Sequence, residues 1–278
     1  MGCDLEEHVA AFAAALDPAG PYRDPSPAER RLAATAMTHL TAPGSDPYAA
    51  STALVALGFS GSGGVDAATG RRYTMYAGRP DDGRAAGVVL VDPSVPVRLA
   101  VEVPHPNSDL RTERIGVHLF RLAPGAILVV AGAHRRAGNG AADAAHNDRS
   151  LFHALAAEAA NRRLPQIQLH GFADASLPGL DAVVSTGTRT ATPAAVRVAT
   201  TLREAGLATC EPWRDSRGRL EGIGNVQAST AVRLGTTFVH LELSWRVRRD
   251  AHLRAVAVRA VAAALCRVSP GTGRRPGR

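Results

Sequence analysis

Two histidines follow apolar runs that are typical of buried β-strands. His105 comes after LAVEV and stands between two prolines, and His170 comes after IQL. Asp109 and Glu113 lie within eight residues of His105. Two imidazoles and one carboxylate form a ligand set that suits a catalytic zinc ion, with a fourth position left for water. The pattern therefore predicts a zinc site built from His105, His170 and one of the two acids.

The two acids also have a simpler explanation. With Ser108 as N-cap, the stretch DLRTERIGVHLFRL predicts a helix in which Asp109 and Glu113 lie one turn apart. Acidic side chains in the first turn of a helix complement its dipole without any metal. This explanation does not account for His105 at the end of a strand, so both acids stay candidate ligands. Asp109 is favoured because it is nearer to His105 in the chain.

A hydrolytic metal site also needs a general base, and Glu242 is the candidate. In the predicted strand TTFVHLELSWRV, alternation places His240, Glu242 and Ser244 on one face and apolar residues on the other. A polar stripe of this kind is also typical of an edge strand. The position of Glu242 after His170 in the chain favours the catalytic interpretation, in which the carboxylate takes a proton from water and delivers it to the leaving amine.

A third polar group follows the predicted strand AILVVAG, in the segment 132–150. The predicted substrate-binding residues there are His134, Arg135, Arg136, His146 and Asn147. Arginine suits a substrate carboxylate because its planar guanidinium donates two parallel hydrogen bonds. Asp143 and His146 could instead bind metal or hold a ligand imidazole. The alternative is a solvated loop that Asn147 or Asp148 caps.

The stretch LGFSGSGG offers Ser60 and Ser62 as nucleophiles of a serine hydrolase. A nucleophile elbow requires G-x-S-x-G followed by a helix, whereas position 62 is serine and a hairpin is predicted to follow. A phosphate-binding loop would require GK[ST], which this stretch lacks. We interpret it as a flexible glycine-rich turn.

Composition limits the ligands and partners. The three cysteines are widely spaced and form no CxxC pair, so a metal would have to bind histidine and carboxylate. The net charge of +7 comes almost wholly from arginine, but aromatic residues make up only 4% of the chain and none is interleaved with the arginines. This disfavours nucleic acid as a partner and fits a small anionic substrate, such as a peptide or an acylated amino acid. The oligomeric state stays open.

The same composition predicts a cytoplasmic protein. No stretch approaches the twenty or so apolar residues of a membrane span, and the N-terminus MGCDLEEHVAAF is acidic where a signal peptide would be basic. Secretion stays possible if the natural start lies upstream.

The order of patterns predicts an α/β fold. Two amphipathic helices at 5–16 and 27–40 form an N-terminal helical extension, residues 1–45. From about residue 51 the pattern changes to β, with STALVALGF as a strand and a hairpin across DAATG. Strands and helices then alternate, which predicts a single three-layer domain over 46–268 with a mixed, largely parallel sheet flanked by helices. The basic tail at 269–278 is expected to be disordered.

The order of a strand-end histidine, a carboxylate, a second strand-end histidine and a glutamate on a late strand resembles the zinc carboxypeptidase superfamily. The resemblance covers roughly residues 98–250 and includes the aspartoacylase-like, N-formylglutamate amidohydrolase-like and poly-γ-glutamate hydrolase-like branches. It implies that His105 and His170 bind zinc, that Glu242 is the general base, and that Arg135 or Arg136 binds the substrate carboxylate. The best-known branches have H-x-x-E, but position 108 is serine here, so Asp109 or Glu113 must supply the acid.

Together these observations predict a zinc-dependent hydrolase of an amide or peptide bond in a carboxylate-bearing substrate. Two alternatives remain. One is a non-catalytic module that binds an acidic ligand through the arginines, and the weaker one is the serine hydrolase with Ser60 or Ser62.

Overall fold

The computed structural model describes residues 4–44, 46–80 and 82–265. The predicted tail at 269–278 lies outside the described residues. Within them, the helices are α1 Leu5–Ala14, α2 Pro27–Thr41, α3 Pro47–Ala56, α4 Thr112–Leu122, α5 Leu151–Asn161, α6 Pro193–Glu204, α7 Val226–Leu234, α8 Trp245–Arg249 and α9 Ala251–Leu265. The strands are β1 Ser60–Val65, β2 Arg72–Ala77, β3 Val88–Val91, β4 Leu99–Val103, β5 Ala126–Val130, β6 Gln166–Phe172, β7 Ala182–Ser185, β8 Thr209–Cys210 and β9 Phe238–Ser244.

All nine described strands belong to one sheet, in the order β1-β2-β3-β5-β4-β6-β9-β7-β8. The central strands β5, β4, β6 and β9 run parallel to one another. Strands β1, β2 and β3 extend the sheet on one side with antiparallel pairing, and β7 pairs antiparallel with β9 on the other. The predicted α/β class with a mixed sheet is confirmed. Because carboxyl ends of parallel strands meet at one edge, the residues that follow β4, β6 and β5 are brought together.

Helices cover both faces of the sheet. Helices α4, α6 and α9 pack on one face, where apolar side chains of β4, β6 and β9 form the larger core cluster. Helices α2, α3 and α5 pack on the other face, over β3 and β5. Helix α7 adjoins α5 and β9 on this second face. The result is the predicted three-layer arrangement.

Two local predictions are wrong. The stretch STALVALGF is predicted as a strand, but most of it belongs to helix α3, which begins at Pro47 after Asp46, whose side chain accepts a hydrogen bond from the N–H of Tyr48. A proline in the first turn after a capping aspartate is a strong helix-start signal, which outweighs the β-branched residues that follow. The glycine-rich stretch after it forms strand β1 rather than a flexible turn, because it pairs with β2 along its whole length. The hairpin between the two strands is confirmed.

The segment between α1 and α2 is hydrogen-bonded to two loops at the carboxyl edge of the sheet. Asn107 Nδ2 donates to the carbonyl of Leu16 (3.0 Å), and the N–H of Gly138 donates to the carbonyl of Gly20 (3.1 Å). Asn147 Nδ2 lies within hydrogen-bond distance of Asp24 Oδ1 (2.8 Å). We call residues 16–24 the N-terminal brace, since they connect the loop after β4 to the loop after β5.

Among the described residues, no helix is both long enough and apolar enough to cross a membrane.

Candidate metal centre

The turn after β4 brings two of the predicted ligands together. The N–H of Asp109 donates to the carbonyl of His105 (2.9 Å), which closes one helical turn. This turn carries Asp109 Oδ2 to 3.1 Å from His105 Nδ1. Helix α4 starts only at Thr112, after Arg111 in the left-handed region (φ 73°), so the prediction of Ser108 as its N-cap is wrong. Asp109 therefore lies before the helix and is free to turn toward the end of β4.

His170 completes the set from the neighbouring strand. Strands β4 and β6 are adjacent and parallel, so the end of β6 lies beside the turn after β4. His170 Nδ1 lies 3.3 Å from the same Asp109 Oδ2, which also accepts the N–H of Gly171 (3.2 Å). Ligand atoms of His105, Asp109 and His170 all lie within 4.8 Å of one another, and all three residues are buried.

The charges in this cluster favour a cation. Burial alone would raise the pKa of Asp109, but the hydrogen bond with His105 outweighs it and holds that pKa well below its usual range. Burial lowers the pKa of His170 to about 4, so its ring is neutral at pH 7. For His105, burial lowers the pKa, but Asp109 and Asp143 raise it more, with a net rise. The cluster thus combines an ionised carboxylate, a neutral imidazole and a histidine whose pKa is raised by neighbouring carboxylates, which together favour a cation.

A polar path leads outward from His105. Its Nε2 lies 2.8 Å from Asp143 Oδ1, and Arg135 donates to the other oxygen of Asp143 (2.6 Å). Burial would raise the pKa of Asp143, but the hydrogen bond with His105 lowers it overall. Side-chain exposure rises from 2% at His105 to 18% at Asp143, 34% at Arg135 and 57% at His146. The site therefore opens to solvent past the loop after β5.

Glu242 lies beside His170 on the adjacent strand. The two residues are paired in the β6 and β9 register, and a carboxylate oxygen of Glu242 lies within 4.8 Å of a ring nitrogen of His170. Burial raises the pKa of Glu242 to about 8, and the charge of Asp109 adds to the rise. Its Oε2 has no hydrogen-bond partner among the described residues. Glu242 thus places a buried carboxyl group with an unpartnered oxygen beside the cluster.

Glu113 lies away from the cluster. It is buried on the first turn of α4, where burial raises its pKa, and its Oε2 has no partner among the described residues. It lines a separate pocket of about 280 Å³ together with Arg114 and Trp245. Of the two acids that the sequence leaves open, the structure brings Asp109 to the histidines.

The residues predicted to bind substrate differ in how they contact the cluster. Arg135 Nη1 lies 3.3 Å from His105 Nδ1, whereas Arg136 is exposed on the loop. His134 is buried and its Nδ1 accepts the N–H of Arg136 (3.1 Å). Asn147 Nδ2 makes structural contacts to the N-terminal brace and to the carbonyl of Ala141 (2.8 Å).

The two serines lie far from this chemistry. Ser60 and Ser62 are exposed residues of the edge strand β1, and β2, β3 and β5 separate that strand from β4.

A buried polar row beneath the cluster is not predicted from the sequence. Paired positions of β4, β6, β9 and β7 place four polar residues side by side across the sheet: Glu102, Gln168, His240 and Ser185. All four are buried. Burial raises the pKa of Glu102 to about 8 and lowers that of His240 well below its ordinary value. The alternation of polar and apolar residues could have indicated this row, but in β9 the same alternation is equally typical of an edge strand.

In sequence, the chain matches no known family profile and no curated protein. Several solved structures are similar in fold. A bacteriophage poly-gamma-glutamate hydrolase is 17% identical with a TM-score of 0.44, over 60% of this chain and 82% of that one. An aspartoacylase family protein from Mesorhizobium loti is 12% identical with a TM-score of 0.42, over 75% of this chain and 67% of that one. A metallo-carboxypeptidase from Burkholderia cenocepacia is 14% identical with a TM-score of 0.38, over 82% of this chain and 70% of that one.

At such identities and TM-scores the likeness is one of fold in outline, and we base the function on the side chains of this chain.

Proposed function

We propose that this protein is a zinc-dependent hydrolase of an amide or peptide bond in a substrate that carries a carboxylate. The observation that carries the proposal is the convergence of His105 Nδ1, Asp109 Oδ2 and His170 Nδ1 in a buried cluster. Two imidazole nitrogens and one carboxylate oxygen are the donors that a catalytic zinc site uses.

The residues present fit a zinc ion. Asp109 is ionised, and His170 is neutral, as a metal ligand must be. Asp143 lies at the outer nitrogen of His105, which is the usual arrangement of a carboxylate behind a metal-binding imidazole. When bound, zinc would activate water for attack and polarise the carbonyl under attack.

Glu242 is the residue we assign to proton transfer. It would accept a proton from the attacking water on its unpartnered oxygen and deliver that proton to the leaving amine. Its raised pKa suits a group that both takes and gives a proton near neutral pH.

Arg135 is the residue we assign to the substrate. It borders the cluster through His105 and Asp143 and is partly exposed toward the opening. Its guanidinium would donate hydrogen bonds to a carboxylate of the bound substrate. Arg136, on the exposed side of the same loop, is the second candidate for that contact.

The direct test is metal analysis of the purified full chain, followed by hydrolysis assays on N-acyl amino acids and short γ-glutamyl peptides. We expect about one zinc ion per chain, and activity that a chelator removes and added zinc restores. Substitution of His170 by alanine should abolish both, because it deletes one of three ligands.

His118→Ala is the matched control for that variant. His118 forms an ion pair with Glu6 and is partly exposed, so its loss should leave zinc content and activity unchanged. Hydrolysis that survives exhaustive chelation and His170→Ala would refute the proposal.

A further inference from the structure

The side chain of Gln168 lies directly beneath His170 and has all of its hydrogen-bonding capacity engaged. Its Nε2 donates to Glu102 Oε2 (2.9 Å) and to Gln227 Oε1 (3.2 Å). Its Oε1 accepts from Asn225 Nδ2 and lies 2.7 Å from His170 Nε2. A primary amide offers two N–H donors and two acceptor lone pairs, so this side chain is fully satisfied.

Two backbone groups determine which way the amide of Gln168 points. Gln227 Nε2 donates to the carbonyl of Ala144 (2.9 Å), and a carbonyl can only accept. The other end of Gln227, which faces Gln168, is therefore its oxygen. That oxygen requires an N–H from Gln168.

A second backbone group, the N–H of Ala228, gives the same orientation of the Gln168 amide independently. The N–H of Ala228 donates to Asn225 Oδ1 (2.9 Å), and a backbone N–H can only donate. The NH₂ group of Asn225 therefore faces Gln168 and requires an oxygen there. The carbonyl of Ala144 and the N–H of Ala228 thus both require the amide oxygen of Gln168 to face His170.

An oxygen at this position imposes one form on the neutral imidazole. A neutral imidazole has one N–H, and an acceptor faces each of its nitrogens: Gln168 Oε1 lies 2.7 Å from Nε2, and Asp109 Oδ2 lies 3.3 Å from Nδ1. The shorter contact, whose oxygen is fixed in orientation, takes the hydrogen on Nε2, and Nδ1 is then the nitrogen with a free lone pair. Nδ1 is the atom that faces Asp109 Oδ2. We propose that Gln168 is a positioning residue, which holds His170 as the Nε2–H tautomer and so presents Nδ1 to the metal. The metal half of this inference rests on the proposed function, whereas the tautomer half does not.

The tautomer can be measured in the metal-free full chain. With ¹⁵N-labelled histidine, long-range ¹H–¹⁵N correlation spectra separate the two neutral tautomers, and His170→Ala assigns the signal. We expect His170 to carry its proton on Nε2 in the wild type. A proton on Nδ1 in the wild type would overturn the proposal without any other variant.

Gln168→Leu and Gln166→Leu form a matched pair. Gln166 lies two residues earlier on the same face of β6, is equally buried and donates to the carbonyl of Ala156 rather than to any ligand. Gln168→Leu should leave a mixture of the two His170 tautomers, whereas Gln166→Leu should leave the wild-type spectrum. An unchanged His170 tautomer in Gln168→Leu would overturn the role assigned to Gln168.

Zinc affinity is the second measurement, by competition with a chromophoric chelator. Loss of a partner behind a metal-binding imidazole weakens affinity about 10- to 100-fold, so we expect that loss in Gln168→Leu and none in Gln166→Leu. Equal affinities in the two variants would contradict the positioning role. Failure of the wild type to bind zinc, with the expected tautomer present, would instead defeat the proposed function and leave the tautomer assignment standing.

Discussion

The two faces of the central strands differ in chemistry although the same seven-residue stretches build them. On one face of β6 and β9, Ile167, Leu169, Val239, Leu241 and Leu243 pack against α4, α6 and α9. On the other face, the alternate positions are Gln166, Gln168, His170, His240 and Glu242, and these are equally buried. One face is a hydrophobic core, and the other is a polar network that ends in the cluster of His105, Asp109 and His170.

The difference teaches how to interpret alternation in a buried strand. A central parallel strand covered on both faces usually consists of apolar residues throughout. In this protein the polar half of the alternation faces α5 and α7 instead of water, with hydrogen bonds to both helices. A buried polar group without a partner costs free energy, so a row of such groups indicates a site. We expect substitutions of Gln168, His170 and Glu242 on the polar face to change function and those on the apolar face to change stability.

The largest expected effect is that of Glu242→Gln. Removal of a general base reduces turnover about 10²- to 10⁴-fold. Glu242 keeps its proton in the metal-free fold up to a pKa of about 8, well above the 4.5 of the unfolded chain. Glutamine does not titrate, so the variant should be no less stable than the wild type at pH 7 and should gain up to a few kcal/mol in the free energy of unfolding, at about 1.4 kcal/mol per pH unit. Turnover and urea unfolding of the metal-free protein measure the two quantities. Retained turnover would refute the role of Glu242 as general base, whereas ligand binding without turnover in the wild type would favour a module that only binds its ligand.

Leu241→Ala is the counterpart on the opposite face, one residue earlier. Leu241 is fully buried in the core cluster, so we expect the free energy of unfolding to fall by about 2–5 kcal/mol. Zinc affinity of the folded variant should stay at the wild-type value, as titration below its melting temperature would reveal. A tenfold loss of affinity in a folded Leu241→Ala protein would mean that the two faces are not independent.

Glu102→Gln should change how stability depends on pH. Glu102 is fully buried with its pKa raised from 4.5 to about 8. Between these values unfolding releases its proton, so this carboxyl progressively destabilises the fold as pH rises from about 4.5 to 8 and has a constant effect outside that window. Glutamine does not titrate, so the variant should gain stability relative to the wild type across the window, by a few kcal/mol at about 1.4 kcal/mol per pH unit.

Urea unfolding of both metal-free proteins at pH 5, 6, 7 and 8 measures that difference. Parallel pH profiles would show that Glu102 is ionised in the folded protein.

Gln166→Leu should have the smallest effect. Gln166 donates one hydrogen bond, to the carbonyl of Ala156 (2.6 Å), and its own oxygen has no partner among the described residues. Leucine gives up that bond but also removes the unsatisfied oxygen, so we expect a change within about 1 kcal/mol in the free energy of unfolding. A larger loss would mean that the polar face also contributes to stability away from the cluster.

The sequence alone predicts much of this arrangement. Periodicity identifies the parallel strands, and strand-end positions select His105, His170 and Glu242 as residues of one site. The ligand choice between Asp109 and Glu113 depends on where helix α4 starts, which Arg111 in its left-handed conformation decides. Sequence offers no signal for that, since a non-glycine residue rarely adopts positive φ.

The network under His170 is also beyond single-sequence reasoning. Gln168, Gln227 and Asn225 are up to 59 residues apart in the chain, and their roles appear only when β6 meets the start of α7. Helix α3 is a different case. Asp46 and Pro47 are an N-cap residue and a first-turn proline, which predict a helix, whereas the β-branched residues that follow favour a strand.

The N-terminal brace has a consequence for how the chain tolerates cutting. Residues 16–24 contact the loops that carry Asp109 and Asp143, because the carbonyl of Leu16 accepts from the side chain of Asn107 and the carbonyl of Gly20 accepts from the N–H of Gly138. A protease that nicks this linker, or a shortened chain that begins at α2, would leave His105, Asp109 and His170 in the sequence while loosening the loops that carry Asp109 and Asp143. Limited proteolysis with zinc retention as the readout would thus report on a segment that contains no ligand at all.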